Sequence, residues 1–291
     1  MANHKTEVSD LKLIVMGDFH FPIMRDEDQE LKKIRDAFFG SLLQQMLEAE
    51  ADVHISLGDL TNEGCEEELK YIASEVRRLS CSTTPFIHVL GNHDTYSLPK
   101  KDILAITGQP RYHSMETPEA LLLFLDTTKE MDFNNWGGEI DTEQMSWLEE
   151  QLANQLGKPV LVFAHHPVYN TTSRSSLDML CVHPEHGLQA VLDKRKGPAY
   201  YFCGHNHQQS IIRISDWHYI QTAAVLDIPG YRVIEVSDGR LTVETVLIQD
   251  EETLRLARFI GNRMLYFRLF PEAAGTSADQ ALFAEHVATL S

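Results

Sequence analysis

An α/β fold is predicted by three features of this sequence. Short apolar runs recur and stop at polar residues, amphipathic helical patterns separate them, and beyond residue 209 the apolar residues alternate with period 2. The runs are LKLIVMGD (11–18), VHISLGD (53–59), PFIHVLGN (85–92), LLLFLDT (121–127), PVLVFAHH (159–166) and AYYFCGH (199–205). Their length and their β-branched and aromatic content suit buried strands.

The intervening helices follow from spacing. Leu31, Ile34, Phe38, Leu42 and Met46 form one apolar stripe within 27–49, and similar patterns cover 66–79 and 142–156, the last through Met145, Trp147, Leu148 and Leu152. Strand–helix alternation implies βαβ units. The segments SIIRIS, WHYIQT and YRVIEVSDGRLTVETVLI then read as half-buried strands, with Asp238-Gly239 as a hairpin turn. No linker-like stretch cuts the chain. Residues 1–250 are therefore expected to form one domain, with 251–291 an apolar, arginine-rich extension (Arg255, Arg258, Arg263, Arg268). That extension is open to a place on the domain as a lid, or to a homodimer contact. Two stretches, 95–118 and 168–187, read as long irregular loops at the strand ends, where function concentrates.

Composition narrows the function. With 43% hydrophobic and 23% charged residues the chain is an ordinary globular one. Without an apolar run of about 18 residues a membrane span is not expected. The start MANHKTEVSD lacks the apolar core of a secretory signal, so a cytoplasmic location is expected. A net charge of −18 repels phosphate backbones and disfavours extended nucleic acid as a partner. It also means that an anionic substrate needs a local source of positive charge. Cys65, Cys81, Cys181 and Cys203 show no CxxC spacing and read as thiols, Cys203 as a small core residue beside Gly204.

The strand ends carry the chemistry. Four runs close as MGD (16–18), LGD (57–59), LGN (90–92) and CGH (203–205), and a fifth as FAHHP (163–167). Ligands of α/β sheets bind beyond the carboxyl ends of the strands, and glycine there allows a sharp turn and close approach. Asp18 and His20 are two residues apart, as are His205 and His207, a spacing that in extended chain puts both side chains on one face. Carboxylate and imidazole suit hard to borderline cations. One buried aspartate or histidine is an ordinary core polar group; seven converging without a cation would cost roughly 2–7 kcal/mol per neutral group, and more per charge.

The ordered set D-x-H (Asp18, His20), G-D (Gly58-Asp59), G-N-H-D (Gly91 to Asp94), H-x-P (His165, Pro167) and G-H-x-H (Gly204, His205, His207) resembles the calcineurin-like metallophosphoesterases, within them the bacterial class III cyclic nucleotide and glycerophosphodiester phosphodiesterases. The resemblance implies a four-layer sandwich of two mixed β-sheets flanked by helices. It implies two metal ions (Mn²⁺, Fe²⁺/Fe³⁺ or Zn²⁺), one held by Asp18, His20 and His207, the other by Asn92, His165 and His205, with Asp59 bridging. His93 would be the catalytic histidine and Asp94 would orient it. The two cations would turn a bridging water into hydroxide that attacks phosphorus, while His93 assists the leaving oxygen. The substrate would be a small phosphodiester. A broad phosphomonoesterase, a nuclease and a non-catalytic scaffold of the same fold are the rivals; the acidic surface opposes the nuclease, and the filled ligand positions oppose the scaffold.

Departures from related families sharpen this. Asn62 stands where purple acid phosphatases carry a metal-binding tyrosine, and GDLTNEG (58–64) lacks the arginine of the protein phosphatase motif. His166 is read as facing away from His165 in a regular strand. His54 and His88 read as half-buried strand residues, and His113, His183 and His186 as solvated loop residues.

Overall fold

Strand β1 (Leu11–Met16) sets the plan, because Leu13 and Val15 face one side and Ile14 and Met16 the other, and all four are buried. A strand buried on both faces must be central and covered on both sides. The computed structural model describes residues 10–24, 29–80, 83–154 and 157–285, and Cys81 lies outside them. β1 pairs in parallel with β2 (Val53–Ser56), which pairs in parallel with β3 (Phe86–His88). On its other edge β1 runs antiparallel to β10 (Gly230–Ser237), and the hairpin through Asp238-Gly239 leads to β11 (Arg240–Leu247). Strand β12 (Ala281–Glu285) closes that edge, giving the order β12-β11-β10-β1-β2-β3.

The second sheet has the order β4-β5-β6-β7-β9-β8. Strands β5 (Leu121–Phe124), β6 (Val160–Phe163), β7 (Ala199–Cys203) and β9 (Trp217–Gln221) are parallel, with antiparallel edges β4 (His113–Glu116) and β8 (Ser210–Ile214). Between the sheets Val15, Ile55, Phe124, Phe163, Phe202, Ile234 and Val243 form one core. Helices α1 (Gln29–Glu48), α2 (Glu66–Leu79) and α6 (Glu251–Gly261) cover the outside of the first sheet, burying Phe38, Phe39, Ile72 and Ile260 against Ile14 and Met16. Helices α4 (Thr142–Asn154) and α5 (Leu188–Leu192) cover the second with Leu148 and Leu192. The architecture is the α/β/β/α sandwich of two mixed sheets that the sequence predicts.

Two local readings change. The stretch 95–118 is not irregular: it contains α3 (Lys100–Thr107), started by Pro99 and ended by Gly108 at φ 73°, and the edge strand β4. Only Ile103 of α3 is buried, so its apolar stripe is too thin to register as a helix. The strands also stop short, β1 at Met16 and β7 at Cys203, so the polar residues after them lie in loops. Cys181 and Cys203 are buried thiols and Cys65 is partly buried.

Residues 251–285 lie on this same unit. Ala257, Ile260 and Phe267 join the core beneath α1, and β12 pairs with β11 from Arg240↔Glu285 to Glu244↔Ala281. Fully buried Arg232 on β10 donates to Gln209, Thr222 and Thr245 side chains and to the carbonyls of Gln221 and Asp279, tying both sheets to this segment.

The cross-strand ring stack of the second sheet, which faces the inter-sheet core, offers a direct test. The ring of Phe163 lies 5.2 Å from that of Phe124 and 5.0 Å from that of Phe202, both nearly parallel to it. Phe163→Ala is expected to lower unfolding free energy by about 3–5 kcal/mol in denaturant titration; a loss below about 1 kcal/mol would contradict this packing.

Candidate metal centre

The carboxyl ends of β1, β2, β3, β6 and β7 point the same way, and the loops leaving them meet at one place. Close packing requires glycine at all four glycine-bearing exits, Gly17, Gly58, Gly91 and Gly204, most tightly at the last two. A Cβ on Gly91 would sit 2.0 Å from the Asp59 nitrogen, and one on Gly204 would sit 2.0 Å from Asp18 Oδ1. Neither glycine has positive φ. Apart from Gly58 (102°), the positive-φ turns at these exits fall on His20 (52°), Asp59 (48°), His205 (69°) and His207 (53°). Non-glycine residues rarely adopt that conformation, which persists only where surrounding structure enforces it. This corrects the extended-chain reading of the two H-x-H-like spacings: twisted loop backbone, not a strand face, aims these side chains. The backbone amides of Phe19 and His20 donate to the Asp59 carbonyl at 3.0 and 2.7 Å and help hold the loops together.

Two groups of side chains result. Asp18, His20, Asp59 and His207 present ligand atoms all within 4.8 Å of one another. His207 Nε2 lies 3.2 Å from Asp18 Oδ2 and 3.0 Å from His20 Nε2. In the second group Asn92 Oδ1 is 2.9 Å from both His165 Nε2 and His205 Nδ1, and those two nitrogens are 3.2 Å apart. Asp59 lies between the groups: Oδ2 is 3.3 Å from His165 Nε2 and 3.7 Å from His20 Nε2. All seven expected positions thus converge, and six are buried, with His207 partly so.

The donor set fits cations. Ring nitrogens face one another at hydrogen-bond distance in both groups, where one proton at most can lie between each pair. His20 Nδ1 is buried with no hydrogen-bond partner. Buried carboxylates and imidazoles gathered this closely are costly without compensating charge. The outward nitrogens are held by the protein: His165 Nδ1 by the Leu57 carbonyl at 2.9 Å, His205 Nε2 by the Met179 carbonyl at 2.9 Å, and His207 Nδ1 near Asp227 Oδ2 at 3.5 Å. Such partners fix which nitrogen faces a metal.

His166 also lies close enough to group with His165 and His205. Its two ring nitrogens, however, meet Thr127 Oγ1 and the Trp136 carbonyl, each at 2.9 Å, so its hydrogen-bonding capacity is spent away from the centre. Asn92, whose Oδ1 points between His165 and His205, has the better-placed atom.

His93 lies beside both groups. Its Nδ1 is 2.6 Å from the Asn62 carbonyl, and its amide donates to Asp59 Oδ1 at 2.8 Å. Asp94 does not orient it, contrary to the sequence expectation. The Asp94 carboxylate accepts from the Thr61 amide and hydroxyl and from the Gly91 amide, and lies 3.3 Å from His88 Nε2. It braces the loop after β3, and a backbone carbonyl holds His93. His54 and His88 are more buried than the sequence suggested, and His113 stacks on Phe124. No sequence pattern points to Asp227, to the Asn62 carbonyl, or to the segment 264–270 that walls the site; these contacts span tens to hundreds of residues.

The electrostatics divide the histidines. Burial alone would lower His207, yet hydrogen bonds to Asp18 and Asp227 and their charge raise it to about 10. Burial likewise opposes the charge on His165, but Asp59 raises it to about 9. Burial, then His165, lowers His205 to about 3, and burial, then His93, holds His20 well below its usual value. Near neutral pH His165 and His207 therefore hold protons that a metal must displace. Mn²⁺ titrated into metal-stripped protein at pH 7 is expected to release roughly two protons, and its affinity to rise with pH toward 9–10 as those protons leave unaided. Calorimetry in buffers of different ionisation enthalpy reads both; metal uptake without proton release would contradict the assignment.

Comparison with known proteins agrees with this geometry. The sequence profile described as calcineurin-like phosphoesterase matches residues 11–209. The glycerophosphodiester phosphodiesterase GpdQ of Enterobacter lignolyticus is 27% identical over 202 residues, covering 66% of this chain and 69% of that one. The 3′,5′-cyclic adenosine monophosphate phosphodiesterase CpdA of Escherichia coli K12 is 26% identical over 220 residues, 69% of this chain and 76% of its own. Among solved structures, a dimetal phosphatase from Danio rerio shares the fold with a TM-score of 0.65 at 15% identity, covering 81% of this chain and 95% of its own. No described helix is long and apolar enough to cross a membrane. The match spans the five strand-end motifs and both side-chain groups, and the chain belongs to the calcineurin-like phosphoesterase family.

Proposed function

We propose that this protein hydrolyses small phosphodiesters with two metal ions, one held by Asp18, His20 and His207, the other by Asn92, His165 and His205, and Asp59 between them. The observation that carries this reading is the approach of Asp59 Oδ2 to His165 at 3.3 Å and to His20 at 3.7 Å, a single carboxylate facing both groups. When bound, such a pair of cations would generate a hydroxide nucleophile near neutral pH and neutralise the phosphate oxygens. Mn²⁺, iron and Zn²⁺ all suit the oxygen and nitrogen donors. A concentrated positive site is also how an acidic chain would draw in an anion.

The protein's own residues supply orientation and a proton. A carbonyl only accepts, so the Asn62 oxygen fixes the His93 proton on Nδ1. The second proton of the imidazolium then sits on Nε2, the nitrogen left to serve the departing alkoxide. Asn92 Nδ2 donates to Tyr96 Oη at 2.7 Å, which aims the amide oxygen at His165 and His205. The names of the similar bacterial enzymes, a glycerophosphodiester and a cyclic nucleotide phosphodiesterase, support a small diester as substrate. The filled ligand set opposes a purely scaffolding role.

The roles can be separated by leaving group. Alkoxides need a proton and 4-nitrophenolate scarcely does. With Mn²⁺, His93→Ala is expected to lose about 10²–10⁴-fold in kcat on glycerophosphodiesters, and far less on bis(4-nitrophenyl) phosphate. Equal losses on both would make His93 a phosphate contact, not an acid. Faster turnover of 4-nitrophenyl phosphate than of its diester would favour a phosphomonoesterase.

A further inference from the structure

Beside the candidate centre opens a cavity of about 930 Å³ whose walls are not those of a site for a bare phosphate with small alkyl groups. Its volume lies at the upper end of the ~300–1,000 Å³ common for small-molecule sites. A ladder of rings leads out along one side. His93 meets Tyr96 at 4.7 Å, Tyr96 meets Phe133 at 4.9 Å, and Phe133 meets Tyr266 edge-on at 4.9 Å. Phe133, Trp136 and Tyr266 remain 45%, 42% and 57% exposed, and all line this cavity. Single exposed aromatics are ordinary. Three at the mouth of one cavity, two of them (Phe133 and Tyr266) joined through Tyr96 to His93, form an apolar patch of the kind that takes a ligand.

The wall is firmly built. Asn62 Nδ2 donates to the Leu265 carbonyl at 2.9 Å, so the residue that holds His93 also holds this segment. Phe267 packs 5.1 Å from both His20 and His207, and the Phe270 amide donates to Asp227 Oδ1 at 2.6 Å. Between these anchors Tyr266 takes left-handed backbone at φ 60°, a strained turn held on both sides.

From this arrangement we infer that Tyr96, Phe133, Trp136 and Tyr266 form a specificity subsite for a flat aromatic ring on the leaving side of the diester. The inference rests on the phosphodiesterase reading above. Because the ladder starts at His93, the group that would protonate the leaving oxygen, the ring it receives is the one that departs. The segment 264–270, which lies beyond the 11–209 match to the family, thereby sets which diesters this chain prefers.

Benzyl methyl phosphate and propyl methyl phosphate, two alkyl diesters differing in a ring, test the subsite in the Mn²⁺-loaded full chain. Phosphinates in which CH2 replaces both ester oxygens, ethyl(2-phenylethyl)phosphinate for the benzyl compound and butyl(ethyl)phosphinate for the propyl compound, have no P–O ester bond to cleave and give Kd by calorimetry. The benzyl compounds are expected to lead by about tenfold in kcat/KM and Kd, from two ring contacts. In Phe133→Ala/Tyr266→Ala that ratio should fall toward one, and Tyr266→Phe, which keeps the ring, should retain it. A wild-type ratio near one, or a preference that survives the double substitution, overturns the subsite. If neither diester turns over while the Kd ratio persists, the hydrolase reading fails and the subsite stands. The methyl ester of adenosine 5′-monophosphate separates ring sources: tighter binding than the benzyl compound marks a nucleobase, weaker binding a hydrocarbon ring, and binding no tighter than the propyl compound counts against a general aromatic subsite.

Discussion

The site is organised around one constraint, the concentration of buried ionisable groups at the carboxyl ends of five strands. Two aspartates, an asparagine and four histidines from sequence positions 18 to 207 share a space a few ångströms across. Low dielectric makes each of these groups expensive unless charge or hydrogen bonds compensate. Much of the surrounding structure serves that compensation. Main-chain carbonyls of Leu57, Met179 and Asn62 engage the outward imidazole nitrogens, and the bare glycines at 91 and 204 let backbone and carboxylate approach.

Geometry of this quality comes from the rigid sheets and the strained loops together. The parallel strands bring their ends to one level, and the flanking helices bury both faces. The left-handed conformation at His20, Asp59, His205 and His207 then turns each side chain inward. A strand alone would send successive residues to opposite faces. The strain is held in place by the two-sheet core, which is why site and fold are hard to separate.

Much of this was legible in the sequence. The apolar runs and helical stripes of α1, α2 and α4 fall close to the observed elements, and the strand-end motifs name the residues that meet. What could not be read falls into two kinds. Helix α3 buries only Ile103, leaving no periodic stripe to detect. Contacts such as Asn62 with Leu265, His207 with Asp227 and Asp94 with Thr61 depend on tertiary proximity, which no local pattern encodes. Asp94 is instructive: the resemblance implied that it orients His93, yet neighbouring residues in a turn point to different partners. The segment after residue 250 gave no motif, and its place against His20 and His207 follows only from folding.

The central claim is that these convergent side chains cage a pair of cations around Asp59. Anomalous diffraction from crystals grown with Mn²⁺ addresses it most directly. Two peaks are expected, one among Asp18, His20 and His207 and the other among Asn92, His165 and His205, each within coordination distance of Asp59. Density for no ion, or for one bound only elsewhere, would contradict it.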